Sequence, residues 1–189
     1  MVSHTFYTQH TEEFYDFYKN KMIFLDAKPN KAHLKLAEME QAGKLSAIVT
    51  QNIDGLHQAA GSKNVFELHG SVHRNYCQKC GKFFDVNYVV NAKGVPHCDE
   101  CGGIIKPDVV LYEEGLDSQT INGAVRAISK ADMLIIGGTS LVVYPAAGMI
   151  DYFKGKYLAV LNRDATSRDK QADLCITDPI GEVLGRIRV

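Results

Sequence analysis

Apolar side chains recur at helical spacing near the start of the chain and give way to short β-type runs from residue 46 onward. Phe14, Phe17 and Tyr18 fall at i, i+3, i+4 in an acidic opening segment, and Ala32, Leu36 and Met39 at i, i+4, i+7 in the next. Both patterns predict amphipathic helices whose stripes face a core. Residues 46–49 form a β-type run ending at Thr50, and residues 65–68 another ending at His69. Residues 74–106 turn polar, glycine-containing and cysteine-paired, the mark of an inserted module. Beyond it, Ile121, Ala124, Val125 and Ile128 repeat at i, i+3, i+4, i+7 and lead into the buried-strand run 133–136. Further strands are expected at 156–161 and 173–176, and helices at 146–153 and 179–186. Strands alternating with helices predict a parallel α/β sheet.

The cysteines change this picture most. Cys77 and Cys80 form one C-x-x-C pair and Cys98 and Cys101 a second, with seventeen residues between the pairs. At that spacing two thiolate knuckles fold against each other and close a tetrahedral zinc site. The alternatives are buried thiols or two disulfides. Gly81 and Gly102-Gly103 suit the tight turns of such knuckles. Four Cys ligands leave no open position for substrate, so the zinc is expected to be structural. His73 and His97 read as ordinary polar loop residues, and Cys175, alone in an apolar run, as a buried small hydrophobe.

The chain has 189 residues, 46% of them hydrophobic, enough for one substantial core and a small appended module. A net charge of -1 gives no sign of nucleic acid or an anionic membrane as partner. The first residues show no basic segment followed by an apolar one, and no apolar run approaches the roughly 20 residues that span a bilayer. Together with thiols reduced for metal binding, these features lead to the expectation of a cytoplasmic protein.

Four polar or glycine-rich stretches lie just after the expected strands: Gln51-Asn52-Ile53-Asp54, His69-Gly70, Gly137-Gly138-Thr139-Ser140 and Asn162-Arg163. In open parallel sheets the carboxyl ends of the strands carry the ligand crevice, so the four are expected to converge on one site. Each alone is compatible with ordinary turn chemistry. Gly138, Thr139 and Ser140 offer close backbone approach and two hydroxyls, suited to a ribose or phosphate. Asn162 could bind a sugar hydroxyl, and Gln51, Asn52 and Asp54 a carboxamide and ribose edges. His69 is placed as a general base.

These elements, with Glu67-Leu68-His69-Gly70, residues 106–112, Val143, Pro145 and the cysteine pairs, run in the order found in sirtuins, and the chain resembles a bacterial-type member of that family of NAD-dependent protein deacylases. The resemblance implies a Rossmann-like parallel sheet with helices on both faces and a small inserted four-cysteine zinc module. Residues 1–73 and 107–189 would form the NAD-binding domain and 74–106 the zinc module. It implies that His69 is the catalytic base. Gln51, Asn52, Ile53 and Asp54 would line the nicotinamide and ribose pocket, and Gly138, Thr139, Ser140, Asn162, Arg163 and Ile180 the adenosine side. Val109, Val110, Leu111, Tyr112 and Val143 would sandwich an acyl-lysine protein or peptide as a strand. Cys77, Cys80, Cys98 and Cys101 would hold zinc. NAD would be consumed, giving nicotinamide and O-acyl-ADP-ribose.

Two departures from the family pattern bear on these expectations. The family's first strand and its Gly-Ala-Gly-x-Ser loop do not precede Val2, so the expected fold lacks its first βα unit. Glu113 stands where the family often has Gly. Two further readings accompany the deacylase: a catalytically weak or inactive sirtuin-like protein that binds NAD or peptide, and an unrelated zinc-ribbon adapter. His69-Gly70 and the four polar stretches argue against the adapter.

Overall fold

Four helices begin at residues whose side chains accept from first-turn N–H groups, which have no partner inside the helix. Ser3 Oγ accepts from Phe6 at 3.1 Å, Asp85 Oδ1 from Tyr88 at 2.9 Å and Asp117 Oδ2 from Thr120 at 2.7 Å. Asn30 forms a full capping box: its Oδ1 accepts from Ala32 and His33, and its own N–H donates to His33 Nδ1. The computed structural model describes residues 1–189. In chain order its elements are α1 (His4–Gln9), α2 (Thr11–Lys21), α3 (Lys31–Gln41), β1 (Ile48–Thr50), α4 (Leu56–Ala59), β2 (Val65–Glu67), β3 (Gly70–Cys77), β4 (Phe83–Phe84) and α5 (Val86–Asn91). They continue with β5 (Ile105–Val109), α6 (Ser118–Lys130), β6 (Met133–Gly137), a 3-10 helix (Ala146–Tyr152), β7 (Tyr157–Leu161), a 3-10 turn (Asp169–Gln171), β8 (Leu174–Ile176) and α7 (Ile180–Gly185).

The chain divides into two units. The first comprises Met1–Ala27, Gln51–Gly55 and His69–Leu116. Its sheet is antiparallel, ordered β4-β3-β5. Its core joins Tyr7, Phe14, Tyr15 and Tyr18 from the opening helices to Phe84, Val89, Ile105, Val109 and the metal-site thiols Cys77 and Cys98. The buried stripe of α2 is therefore Phe14, Tyr15 and Tyr18, with Phe17 only half-buried. Edge-to-face packing of the Phe14 and Tyr15 rings, 5.3 Å apart, suits their quadrupoles. Burial pushes the Tyr15 and Tyr18 phenols up, so both stay protonated. Tyr15 donates its hydroxyl to the Ile105 carbonyl, whereas the buried Tyr18 Oη has no protein partner.

β3 is interrupted. Ser71 faces Asp108 on β5, but the next paired residue, Asn75, faces Pro107, so Val72, His73 and Arg74 form a bulge. The fully buried Asn75 closes it, donating from Nδ2 to the Val72 carbonyl at 3.2 Å and to the Phe84 carbonyl at 3.3 Å. Gly70 begins β3 at φ +74°, and a Cβ there would lie 1.9 Å from the Asp108 carbonyl oxygen, so only glycine allows this approach of β3 to β5.

The second unit comprises Lys28–Thr50, Leu56–Leu68 and Asp117–Val189. The parallel pairing expected from the strand and helix alternation is present, divided between two sheets, β1-β2 and β6-β7-β8. In the larger sheet alternate residues face opposite ways. Ile136, Leu158 and Val160 pack with Leu134, Ile150 and Phe153 on one face, while Leu161 and Ile135 pack with Ala32 of α3 and Leu184 of α7 on the other. α6 rests on β2 at Gly123, where a Cβ would meet the Phe66 ring at 2.3 Å, so this helix-interior glycine is a contact point.

Two sequence expectations need correction here. The helix expected at 146–153 is a 3-10 helix over Ala146–Tyr152. Cys175 is exposed, not buried: it lies on β8, a three-residue strand at the sheet's edge with two exposed positions.

The two tyrosines of α2 make a paired test. Tyr15→Phe should lower unfolding free energy by about 1–3 kcal/mol, because the buried Ile105 carbonyl loses its hydroxyl donor. Tyr18→Phe should be neutral or stabilising, because it removes a buried hydroxyl that bonds to nothing. Urea denaturation of both variants checks the difference.

Candidate functional site

The metal site is built from two backbone turns of identical design. Cys77 N–H donates to the Lys82 carbonyl and Gly81 N–H to the Cys77 carbonyl, both at 2.9 Å. In the second turn Cys98 N–H donates to the Gly103 carbonyl at 2.8 Å and Gly102 N–H to the Cys98 carbonyl at 3.0 Å. Gly81 and Gly102 both take positive φ, +74° and +67°. The four Sγ atoms all lie within 4.8 Å of one another, with Cys77–Cys101 at 3.3 Å and Cys80–Cys98 at 3.7 Å. A tetrahedron with Zn–S bonds of about 2.3 Å has S···S edges of about 3.8 Å, so the thiol set fits zinc. Gly103 has no room for a side chain, since a Cβ would lie 2.8 Å from Cys77 Sγ.

Electrostatics points the same way. Burial raises Cys77, but N–H groups of Cys80 and Lys79 outweigh it and bring the thiol down to about 6. The Lys82 N–H lowers Cys80, but the hydrogen bond with Cys101, burial and the neighbouring thiols push it up to about 12. Four thiolates this close need a cation to ionise together. Lys82 Nζ also ties the turns, bonding Asp99 at 2.7 Å and Glu100 at 2.8 Å.

The second feature is a clasp between the segment Gln51–Gly55 and β3. The Gln51 carbonyl meets His69 Nδ1 at 3.0 Å, the Ile53 carbonyl accepts from Val72 N–H at 3.0 Å, and the Asp54 carbonyl meets His73 Nε2 at 3.0 Å. The parallel pairing of Thr50 with Glu67 sets the two chain segments side by side just before this point. A carbonyl only accepts, so Nδ1 of His69 carries a proton, and in the neutral ring Nε2 presents the lone pair. His69 is half-buried, and its own carbonyl accepts from Val110 N–H at 3.0 Å. The structure thus brings Gln51, Ile53, Asp54 and His69, four of the expected site residues, into one clasp, with Gln51 bonded to the His69 ring itself. His73, expected to be an ordinary loop residue, belongs to this clasp.

The segment after β5 is anchored within the chain. The N–H groups of Val110, Leu111 and Tyr112 donate to the His69 carbonyl, Glu114 Oε2 and the Val2 carbonyl at 3.0, 2.9 and 3.0 Å. The Tyr112 carbonyl accepts from His4 at 2.9 Å, while its side chain is 66% exposed. Glu113 sits at φ +76°, in the left-handed region that favours glycine. Its carboxylate accepts from Thr5 N–H at 2.8 Å and Thr5 Oγ1 at 2.7 Å, at the start of α1, and these bonds hold it below the usual carboxylate range. Glu114 is shared by Leu111, His4 and Lys106, the last at 3.1 Å. Sequence reasoning missed the roles of Glu113, Glu114 and His4. The only signal was an acidic pair directly after an apolar run.

In the second unit β6 ends at Gly137, and Gly138 follows it. A Cβ on Gly137 would lie 2.4 Å from Ile180 Cδ1, so Ile180 packs directly on the end of the strand. Gly138 is exposed at φ +61°, with open space where a side chain would stand, and its N–H donates to the Leu161 carbonyl at 3.2 Å. Thr139 Oγ1 accepts from Leu141 N–H at 3.2 Å, and Ser140 is exposed. At the end of β7, Asn162 donates from Nδ2 to the Asp164 carbonyl at 2.8 Å, beside the exposed Arg163. Val143 is half-buried, and its carbonyl accepts from Ala147 N–H. Gly138, Thr139, Ser140, Asn162, Arg163 and Ile180 all belong to this unit, at or after the carboxyl ends of β6, β7 and β8.

An α/β chain with parallel sheets, a four-thiolate site and a tautomer-fixed histidine at the end of a strand defines the class to compare. The Sir2 family model matches residues 1–145, and the chain belongs to that family. An NAD-dependent protein deacetylase of Clostridium acetobutylicum is 66% identical over 185 residues, 97% of this chain and 76% of that protein. Another from Clostridium perfringens is 63% identical over 188 residues, 99% of this chain and 77% of that protein. Among solved structures, a Sir2 complex with p53 peptide and NAD+ superposes with a TM-score of 0.90 at 40% identity, covering 98% of this chain and 80% of that one. A Sir2 protein bound to acetylated peptide gives 0.89 at 39% identity, covering 98% and 80%.

Two outcomes follow from this geometry. Cys77→Ala or Cys101→Ala should release zinc and lower the thermal midpoint, because structural zinc supplies folding free energy; metal analysis of protein purified without chelator checks it. At position 113 the thermal midpoints of two variants that both lose the carboxylate should report the strain of the positive φ. Glu113→Ala keeps the strained φ and loses the carboxylate, so it should melt below Glu113→Gly, which loses the carboxylate but relieves the strain.

Proposed function

We propose that this chain is an NAD-dependent protein deacetylase that removes acetyl, and more broadly acyl, groups from lysine side chains, giving nicotinamide and O-acyl-ADP-ribose. The observation that carries the reading is the His69 ring, whose Nδ1 is committed to the Gln51 carbonyl at 3.0 Å while Nε2 is left with its lone pair. Family membership and the names of the relatives support it.

NAD, when bound, supplies the electrophilic ribose carbon and the hydroxyl that accepts the acyl group, with nicotinamide as the leaving group. The residues present fit such a ligand. Gln51, Asn52, Ile53 and Asp54 would take the nicotinamide and its ribose. The open, positive-φ Gly138, with Thr139, Ser140, Asn162, Arg163 and Ile180, would take the adenosine side. His69 Nε2 would withdraw the proton from the ribose hydroxyl, and its Nδ1–H bond would hold the ring while the imidazolium forms. Cys77, Cys80, Cys98 and Cys101 would hold zinc as a structural ion, because four thiolates complete its tetrahedron.

Val109, Val110, Leu111, Tyr112 and Val143 would contact the acyl-lysine peptide. With the N–H groups of Val110, Leu111 and Tyr112 committed inside the chain, this segment would contribute carbonyls and side chains, the exposed Tyr112 ring among them. Nothing in the charge balance favours nucleic acid as a partner, and no helix is long and apolar enough to cross a membrane. A cytoplasmic location suits thiolates that must stay reduced to hold metal.

His69→Ala should lower turnover of an acetyl-lysine peptide by about 10² to 10⁴, the usual cost of losing a positioned general base, with zinc content unchanged. Nicotinamide release with such a peptide checks it. Near-normal turnover by a folded, zinc-loaded variant would remove His69 from the chemistry.

A further inference from the structure

The bulge in β3 is the place in the first unit where the regular ladder is given up. Three residues, Val72, His73 and Arg74, stand between the paired positions Ser71 and Asn75, and each has a definite use. Arg74 Nε returns to the parent sheet, donating to Asp108 Oδ2 at 2.7 Å. Val72 N–H turns to the Ile53 carbonyl, and the His73 ring to the Asp54 carbonyl, both at 3.0 Å. Bulges of this kind re-aim side chains beside functional segments.

The contact made by His73 is more than one hydrogen bond. Gly55 follows Asp54 at φ +69°, and a Cβ there would lie 2.7 Å from His73 Cδ2 and 3.0 Å from Nε2. The imidazole therefore lies against the Asp54-Gly55 peptide, and the glycine is needed both for its φ and for this approach. Because a carbonyl only accepts, Nε2 carries a proton in the bonded state, and the bond survives whether the ring is neutral or protonated. The backbone of His73 is itself fixed, its N–H donating to Ser71 Oγ at 3.2 Å.

We infer that His73 is a positioning residue for the Gln51–Asp54 segment: it fixes the Asp54 end as His69 fixes the Gln51 end, and so sets the affinity for the nicotinamide riboside half of NAD. The inference rests on the proposed role of that segment in binding NAD. Two histidines, one just before β3 and one within its bulge, thus hold opposite ends of one loop, one through Nδ1 and the other through Nε2. The hydrogen bond of the His73 ring is to the loop's backbone, so it acts through the loop it holds.

The test uses NAD titration by calorimetry into the full chain, with zinc content, thermal midpoint and acetyl-lysine peptide affinity measured on each variant. His73→Ala and His73→Phe should weaken NAD binding by about twofold to tenfold, the equivalent of one hydrogen bond of about 0.5–1.5 kcal/mol, while peptide affinity and zinc content stay as in the parent. His73→Gln, whose amide Nε2–H can reach the same carbonyl, should restore most of the loss. That rescue is not expected if the ring serves only as filler. Parent-like NAD affinity in His73→Phe would overturn the inference, as would a His73→Gln variant no better than His73→Ala. An equal fall in NAD and peptide affinity together with the thermal midpoint would also overturn it, since that marks general loosening. Asn52→Ala is run alongside. If it weakens NAD while the His73 variants do not, the positioning role falls and the loop's role stands; if neither it nor the parent responds to NAD as a binding loop should, both fall.

Discussion

The structure of the first unit depends on where the carbonyls of Gln51, Ile53 and Asp54 find their donors. A loop leaving a parallel strand has lost its ladder, and its polar backbone must be satisfied by something rigid if it is to hold a shape. Here that partner is β3 and the residue just before it. One backbone N–H and two imidazoles, from His69, Val72 and His73, take the three carbonyls. The geometry at Gly70, where no side chain fits against Asp108, presses β3 onto β5 and gives the clasp its rigid back. The metal turns sit at the far end of the same strand, since Cys77 is its last residue. Metal, sheet and histidine are therefore linked by eight residues of one strand.

The sequence disclosed the chemistry more fully than the packing. Paired C-x-x-C spacing carries its geometry with it, because two identical turns follow from a cysteine and a glycine four residues on, and the thiols come together as expected. His69 was visible because a strand signal ended there and a glycine followed. The parallel strands were visible as apolar runs broken by polar loops. What these runs could not disclose is which strands share a sheet, since period-two patterning says which face is buried and not who the neighbour is. Hence the parallel strands lie in two sheets, and Cys175, apolar in its local context, is at an exposed edge.

The misses at His73 and Glu113 have one cause. Each residue works through backbone geometry that has no sequence signature of its own. A three-residue bulge converts a strand position into a loop clamp, and its organiser, the buried Asn75, looks in sequence like any polar residue. Glu113 occupies a left-handed position where a glycine would be expected, and its compensation lies 108 residues away in sequence, in the first turn of α1. Local strain offset by a remote cap cannot be read from a window of neighbouring residues.

The exposure of Cys175 gives the protein an unplanned handle. Four of the five cysteines form the cluster that fits zinc, and a thiolate held by metal would be shielded from thiol reagents. With zinc bound there, Cys175 would be the one exposed thiol outside the cluster, on the edge strand of the second unit, while the other four cysteines lie in the first. A fluorophore or spin label attached there would report on that unit alone, without any cysteine having to be removed first.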